Sequence, residues 1–291
     1  MTKIAVFGNS SQQRRMFELR NEARKLGVQL DLISYNEMRF ETNGANMFLG
    51  GKPVNYYDIY FFRNSKDHWE EVNLIVGQLS PDKIVVDPVM MSARPSDVCK
   101  AVQMITLAKA GLPVPKTVYG SLEYLSTTAV RDFRYPLIIK GSKGDRHEQV
   151  FKVMGPKGLA RHVAELTEAE TAGANKFMMQ EYIRNTEDYR IIVVGNKALG
   201  VMKRAIGDNP RRRDEFSQAS DLPRSVKDVA IEASRVCGIA VAGVDIVLKN
   251  GTDPMIYEVN KTPCYDRFEE VFPEVNVAKE VVQYLIGLSD H

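Results

Sequence analysis

Over the first ~95 residues, short β-branched apolar runs alternate with stretches in which apolar positions recur every three or four residues. Lys3 to Phe7 is the first run. Gln12 to Leu26 follows, with Met16, Leu19, Ala23 and Leu26 on one helical face. The intervening Gly8-Asn9-Ser10-Ser11 reads as a turn whose Asn or Ser side chain caps that helix. Val28 to Ile33 and Asp58 to Phe62 are further strands. Lys66 to Leu79 is a helix with Trp69, Val72, Ile75 and Val76 on one stripe, and Lys83 to Val86 is a fourth strand. This alternation predicts βαβ units and a parallel sheet. Neither GxGxxG nor a Walker A sequence occurs, so the first βα turn is a candidate substrate loop rather than a nucleotide fingerprint.

The pattern changes beyond Val86. Pro88 to Ser96 reads as a linker, Ser96 to Ala110 as a helix closed by Gly111, Pro113 and Pro115, and Lys116 to Tyr119 as extended chain. Pro136 to Lys140 and Val150 to Val153 are strands joined by the polar loop Gly141-Ser142-Lys143-Gly144-Asp145-Arg146-His147. Such a loop reads as a flap whose backbone N–H groups suit an anion. Phe177 to Tyr182 is another strand, and Arg190 to Val194 and Ala198 to Lys203 flank a turn at Gly195-Asn196. Arg211 to Glu215 lies in a loop, Arg224 to Cys237 is a helix and Val277 to Leu288 a closing helix.

Two runs near the end carry chemistry. Val244 to Val247 and Met255 to Asn260 are strands separated by the turn-like Lys249 to Pro254. Side chains alternate faces along a strand, so Glu258 and Asn260 share one face and Tyr257 and Val259 the other. A hairpin brings Asp245 beside the first pair. Two carboxylates and an amide oxygen form the hard, all-oxygen set that Mg²⁺ takes when it also holds phosphate oxygens. The cluster predicts phosphoryl transfer.

Composition narrows the alternatives. The balance of 39 basic against 37 acidic residues gives no global field to attract nucleic acid. No run approaches the ~18 apolar residues of a membrane span. The amino terminus lacks the apolar core of a signal peptide, and Cys99, Cys237 and Cys264 lack metal-ligand spacing and read as reduced thiols. A cytoplasmic protein is expected. No nucleophile elbow or histidine-centred triad is present.

Several other residues admit two readings. Lys140 ends a buried strand and either meets a phosphate or snorkels to water. The strand exit Gln180-Glu181-Tyr182-Ile183 either offers polar groups to an adenine edge or is plain core. Asp188 and Arg190 share a strand face, as a surface ion pair or as substrate ligands. Arg211 to Arg213 form a solvated charge run or face a transferring phosphoryl group.

In order and spacing these segments resemble the ATP-grasp superfamily, specifically its RimK-like carboxylate–amine ligases. The matching stretches are Ala108 to Thr117 with Lys100 before them, Pro136 to Lys140, Gln180 to Ile183, Asp188 to Arg190 through Gly195, Lys203-Arg204, Ala242 to Asp245 and Glu258 to Asn260. Asp58 to Arg63 is similar to part of the preceding domain. The resemblance implies an α/β chain in which a parallel α/β pre-ATP-grasp domain (1–95) precedes a two-lobed α+β ATP-grasp domain, with a flap lobe (96–184) and a metal-binding lobe (185–291). It implies ATP with Mg²⁺, or Mn²⁺ in its place, and an acylphosphate that an amine converts to an amide.

The roles follow from the same resemblance. Asp245, Glu258 and Asn260 would hold metal; Lys100, Lys140, Gly141, Gly144, Gln180, Glu181, Tyr182, Ile183, Asp188 and Lys203 would bind the nucleotide. Arg190, Arg204 and Arg213, or another of Arg211 to Arg213, would face the acylphosphate. The implied partners are a small-molecule or peptide carboxylate and an amine or amino acid, with neither membrane nor nucleic acid, and self-association is left open. The alternative is an ATP-grasp kinase that stops at a phosphorylated polyanionic or carboxylate product. The flap Gly141 to His147 is less glycine-rich than the family's loop, the stretch Asn260 to Asp266 also departs from the family pattern, and the departure beyond Arg213 leaves the substrate undefined.

Overall fold

The computed structural model describes residues 2–8, 13–44, 46–92, 99–142, 149–173, 175–206, 213–263 and 265–290. The expected capping residues Asn9, Ser10 and Ser11, the part of the expected flap from Lys143 to His147 with its Gly144, Arg211, Arg212 and Cys264 lie outside them.

The first region contains β1 (Lys3–Phe7), α1 (Gln13–Lys25), β2 (Gln29–Ile33), β3 (Met38–Glu41), β4 (Asn46–Leu49), β5 (Lys52–Pro53), β6 (Ile59–Phe62), α2 (Trp69–Val76) and β7 (Ile84–Val86). The parallel sheet expected from the pattern is there, in the order β2-β1-β6-β7. Its central strands are covered on both faces, so β6 is buried throughout and reads as an unbroken apolar run. Two expectations need correction. The helix over Lys66 to Leu79 begins only at Trp69, after a 3₁₀ turn at Ser65–Asp67 that follows Asn64 at φ 49°. The segment after Pro88 is not a free linker at its start: Pro88–Met91 is a 3₁₀ turn with Met90 fully buried, and Val89 N–H donates to the Gly238 carbonyl at 3.0 Å.

Next come α3 (Lys100–Lys109), β8 (Thr117–Gly120), α4 (Leu122–Thr127), β9 (Leu137–Gly141), β10 (Val150–Val153), α5 (Pro156–Thr171) and β11 (Phe177–Glu181). They build an antiparallel sheet, β10-β9-β11-β8, backed by α4 and α5 through Leu122, Leu125, Leu159 and Leu166. Met104 and Leu107 of α3 pack elsewhere, in the core of the third sheet.

That sheet is assembled from β12 (Glu187–Val194), β13 (Lys197–Ile206), β14 (Arg213–Gln218), β15 (Val241–Lys249) and β16 (Asp253–Asn260), in the order β14-β13-β12-β15-β16. α6 (Arg224–Val236) lies between β14 and β15 in the chain, and α7 (Asp266–Val271) and α8 (Val277–Gly287) close the described chain. The charged stretch expected as a loop through Glu215 is therefore a strand from Arg213 onward, templated by β13 with Arg204 opposite Phe216. The β12–β13 turn places Gly195 at φ 58°, a left-handed conformation that glycine adopts without steric cost. Val281, Val282 and Leu285 of α8 share a core with Ile4 and Val6 of β1 and Ile192 of β12, which joins the parallel sheet to the third sheet. No helix of the described residues is long and apolar enough to cross a membrane.

Candidate active site

The centre of the site is a ladder of charges on neighbouring strands of the third sheet. Register places Asp188 opposite Arg204, Arg190 opposite Asp245, Asp245 opposite Glu258, and Gly243 opposite Asn260. Arg190 grips Asp245 with two bonds, Nε to Oδ1 at 2.8 Å and Nη2 to Oδ2 at 2.7 Å. Arg204 bridges two acids: Nε donates to Asp188 Oδ1 at 2.5 Å and Nη2 lies 3.2 Å from Asp245 Oδ1. Asn260 Nδ2 is 3.5 Å from Asp245 Oδ2. Asp188 and Arg190 thus share a face as expected, but each pairs across the sheet. Burial works against the Arg190 charge, yet the carboxylate of Asp245 more than offsets it and holds the guanidinium above its usual pKa.

Gly243 supports this arrangement sterically. A Cβ there would come within 2.7 Å of Pro263 Cβ, so the chain leaving Asn260 crosses β15 where only glycine leaves room.

One expectation about this hairpin is overturned. The pairing jumps from Asp245–Glu258 to Ile246–Ile256 and leaves Tyr257 as the extra residue of a β-bulge. Ile256 and Val259 enter the apolar core, while Tyr257 turns to the same side as Glu258. Its ring lies 5.9 Å from the Lys140 ammonium, and burial, with Tyr182, Asp188 and Glu181 nearby, raises its pKa. Strict alternation puts Tyr257 with Val259 on the opposite face, and the sequence carries no mark of the bulge.

The second wall comes from β9, β11 and α3. Lys100 opens α3 and places its ammonium 3.1 Å from Glu258. Lys140 is 7% exposed and makes no ion pair among the described residues. Burial lowers its pKa to about 8; Glu258 opposes that shift and Lys100 adds to it. Gly141 N–H bonds the Gln149 carbonyl at 3.0 Å, which fixes the base of the flap.

The Gln180 to Ile183 segment is more committed to internal contacts than its sequence shows. Gln180 is buried and donates to Thr117 Oγ1 at 2.8 Å. The Glu181 carboxylate accepts from Lys116 N–H at 3.0 Å and from Lys249 Nζ at 3.2 Å. Tyr182 faces Lys152, whose Nζ is 4.0 Å from the ring centroid, and Ile183 is buried. Lys203 pairs with Glu187 at 3.1 Å on a more exposed rim. Arg213 begins β14, and its side chain lies outside the described set.

The donors near β15 and β16 fit a hard divalent cation: two carboxylates and an amide oxygen on adjacent register positions, with Lys100 and Arg190 now neutralising the acids. Among the described residues no group of three or more His, Cys, Asp and Glu side chains forms a metal cluster, so Asn260 is needed to complete the set. Among the described residues, the cations Lys100, Lys140, Arg190 and Arg204 exceed the carboxylates Asp188, Asp245 and Glu258 by one, a balance that favours a polyanion.

A parallel sheet leading into two antiparallel sheets, with lysines on one wall and oxygen donors on the other, defines an ATP-grasp architecture. The model of the RimK-like ATP-grasp domain matches residues 96–285, and the chain belongs to that family. It is 28% identical over 301 residues to a probable alpha-L-glutamate ligase of Xanthomonas campestris pv. campestris (strain 8004), covering 97% of this chain and 98% of the relative. The fold is similar to that of the ATP-grasp ligase PsnB complexed with a phosphomimetic variant of minimal precursor, Mg and ADP (TM-score 0.74, 18% identity, 99% of each chain). It is also similar to the macrocyclase MdnC bound with precursor peptide MdnA from Microcystis aeruginosa MRC (TM-score 0.72, 14% identity, 98% of this chain and 100% of that one). The expected class, an ATP-dependent ligase, stands on the family and on relatives that are themselves named as ligases.

Proposed function

We propose that the chain joins a carboxylate to an amine through an acylphosphate, with release of ADP and phosphate. A carboxylate oxygen attacks the γ-phosphorus of ATP and ADP leaves. The amine nitrogen then attacks the activated carbonyl, phosphate leaves with that oxygen, and the nitrogen loses a proton. The observation that carries this reading is the meeting of four cations, Lys100, Lys140, Arg190 and Arg204, with the oxygen donors Asp245, Glu258 and Asn260.

In this reading Asp245, Glu258 and Asn260 hold Mg²⁺, or Mn²⁺, which when bound neutralises phosphate charge and aligns the displacement. Lys100 and Lys140 bind phosphates, and Lys100 leaves Glu258 to do so. Gly141 adjoins the phosphates, and the resemblance assigns Gly144 to the same ligand. Adenine lies against the Gln180 to Ile183 exit, recognised by its backbone, because the side chains of Gln180 and Glu181 are already engaged. Asp188 orients Arg204, and Lys203 sits at the nucleotide rim. Arg190 and Arg204 face the charge that develops on the transferring phosphoryl group, and the resemblance assigns the same role to Arg213. The flap lobe spans 96–184 and the metal lobe 185–291, with α3 packed on the metal lobe.

An amino-acid or peptide carboxylate and an amino-acid amine are the substrates. Support comes from the glutamate ligase name of the relative and from the peptides in the PsnB and MdnC complexes. The test is phosphate release from ATP with paired amino acids and dipeptides, with mass spectrometry of each positive. Release that requires both an acid and an amine, with a product lighter by one water, is expected. A stable phosphorylated product formed without an amine would instead identify a kinase.

A further inference from the structure

β16 is the last strand of the third sheet, so among the described residues its outer backbone groups have no strand to pair with. At Val259, between Glu258 and Asn260, a side chain closes that edge. Gln103 Nε2 donates to the Val259 carbonyl at 2.8 Å, and the Val259 N–H donates to Gln103 Oε1 at 3.2 Å. The amide makes the pair of bonds that a neighbouring strand would make with that residue. Gln103 is 3% exposed, and both ends of its amide are used on this one residue. Methionine would fill the same volume, so space-filling does not account for the amide.

The same helix reaches the site at two more points. One turn earlier, Lys100 Nζ lies 3.1 Å from Glu258. The Lys100 backbone N–H donates to the Ser142 carbonyl at 3.0 Å, just past the end of the strand that carries Lys140. α3 therefore ties the exit of β9 to the strand bearing Glu258 and Asn260.

We propose that Gln103 is a positioning residue for the metal ligands. By fixing the backbone of Val259 it sets the spacing of Glu258 and Asn260 on either side, and it locks that pair to Lys100 and to the base of the flap. This inference rests on the reading of Glu258 and Asn260 as ligands of nucleotide-bound Mg²⁺.

Gln103→Met removes both hydrogen bonds at similar volume; Gln103→Glu keeps the acceptor for the Val259 N–H and loses the donor. Wild type and both variants are titrated with a non-hydrolysable ATP analogue by calorimetry, in Mg²⁺ and in excess chelator, and their melting temperatures are recorded. The expected result is that the gain in affinity conferred by Mg²⁺ falls by about tenfold to a hundredfold in Gln103→Met and by less in Gln103→Glu. Affinity in chelator stays within about twofold, the adenine contacts being untouched. A lowered melting temperature with the full Mg²⁺-dependent gain would overturn the proposal and leave Gln103 a purely structural residue. Should Gln103→Met not fold, the same two outcomes are read from Gln103→Glu. A wild-type protein that binds the analogue equally with and without Mg²⁺ would contradict the ligand assignment itself, and this proposal with it.

Discussion

The two walls of the site handle buried charge in opposite ways. On the third sheet, Asp188, Arg204, Asp245 and Arg190 answer one another across adjacent strands at 2.5–3.2 Å. On β9, Lys140 is just as buried but among the described residues has an aromatic face and more distant charges for company, and its pKa falls to about 8. The third-sheet wall is electrostatically closed by protein groups, with Lys100 on Glu258. The β9 wall keeps a lysine with no ion pair among the described residues, at a cost in folding free energy that a polyanion would offset under the proposed function. A paired wall keeps its geometry before any ligand arrives, whereas the Lys140 ammonium keeps its charge interaction in reserve.

Asp245→Asn breaks this contrast most severely. It removes the anion shared by Arg190 and Arg204, and losing one partner of a buried ion network costs about 3–5 kcal/mol. Urea unfolding should show that loss, together with abolished phosphate release. Unchanged unfolding would mean that the ladder does not hold the sheet face.

Lys140→Met should separate activity from stability. Turnover falls by about 10²–10³, the scale of removing one preorganised donor from a developing charge. Stability stays level or rises, because a buried ammonium is replaced by an apolar chain of similar length. A clear loss of stability would contradict this description of the β9 wall.

The pH dependence of wild type sharpens the same point. With a folded pKa of about 8 against an ordinary 10.5, the unfolded chain carries the extra proton between those values. Stability therefore gains a rising contribution from Lys140 as pH climbs through that window, and below about 8 the full penalty of the buried charge remains. Nucleotide affinity moves the other way and weakens above about 8, as the ammonium is lost. Both trends should vanish in Lys140→Met, checked by urea unfolding and analogue binding across the window. The smallest effect belongs to Lys203→Ala, whose exposed pair with Glu187 contributes about 1 kcal/mol or less, read from the same unfolding curves.

Much of this contrast was legible in the chain. The parallel strands announce themselves because burial on both faces demands unbroken apolar runs, and Asp245, Glu258 and Asn260 converge because the hairpin register is fixed by its apolar residues. β3 to β5 leave little trace in the pattern because they are short, largely exposed and set among Gly44, Gly50 and Gly51. Strict alternation puts Tyr257 on the wrong face because a single bulged residue inverts the pattern. Arg190 and Asp188 looked like partners because periodicity reports faces along one strand, whereas their true partners come from cross-strand register. Gln103 gave only the faint signal of an amide inside an apolar helix stripe, since its partner lies 156 residues away.

The most direct measurement follows one oxygen atom. An acid that supports amine-dependent phosphate release is supplied with its carboxylate labelled with heavy oxygen, and the released phosphate is weighed by mass spectrometry. Carboxylate activation by phosphoryl transfer predicts one labelled oxygen in each phosphate formed. Phosphate without label, formed in step with the amide, would contradict the acylphosphate route and the roles given to both walls.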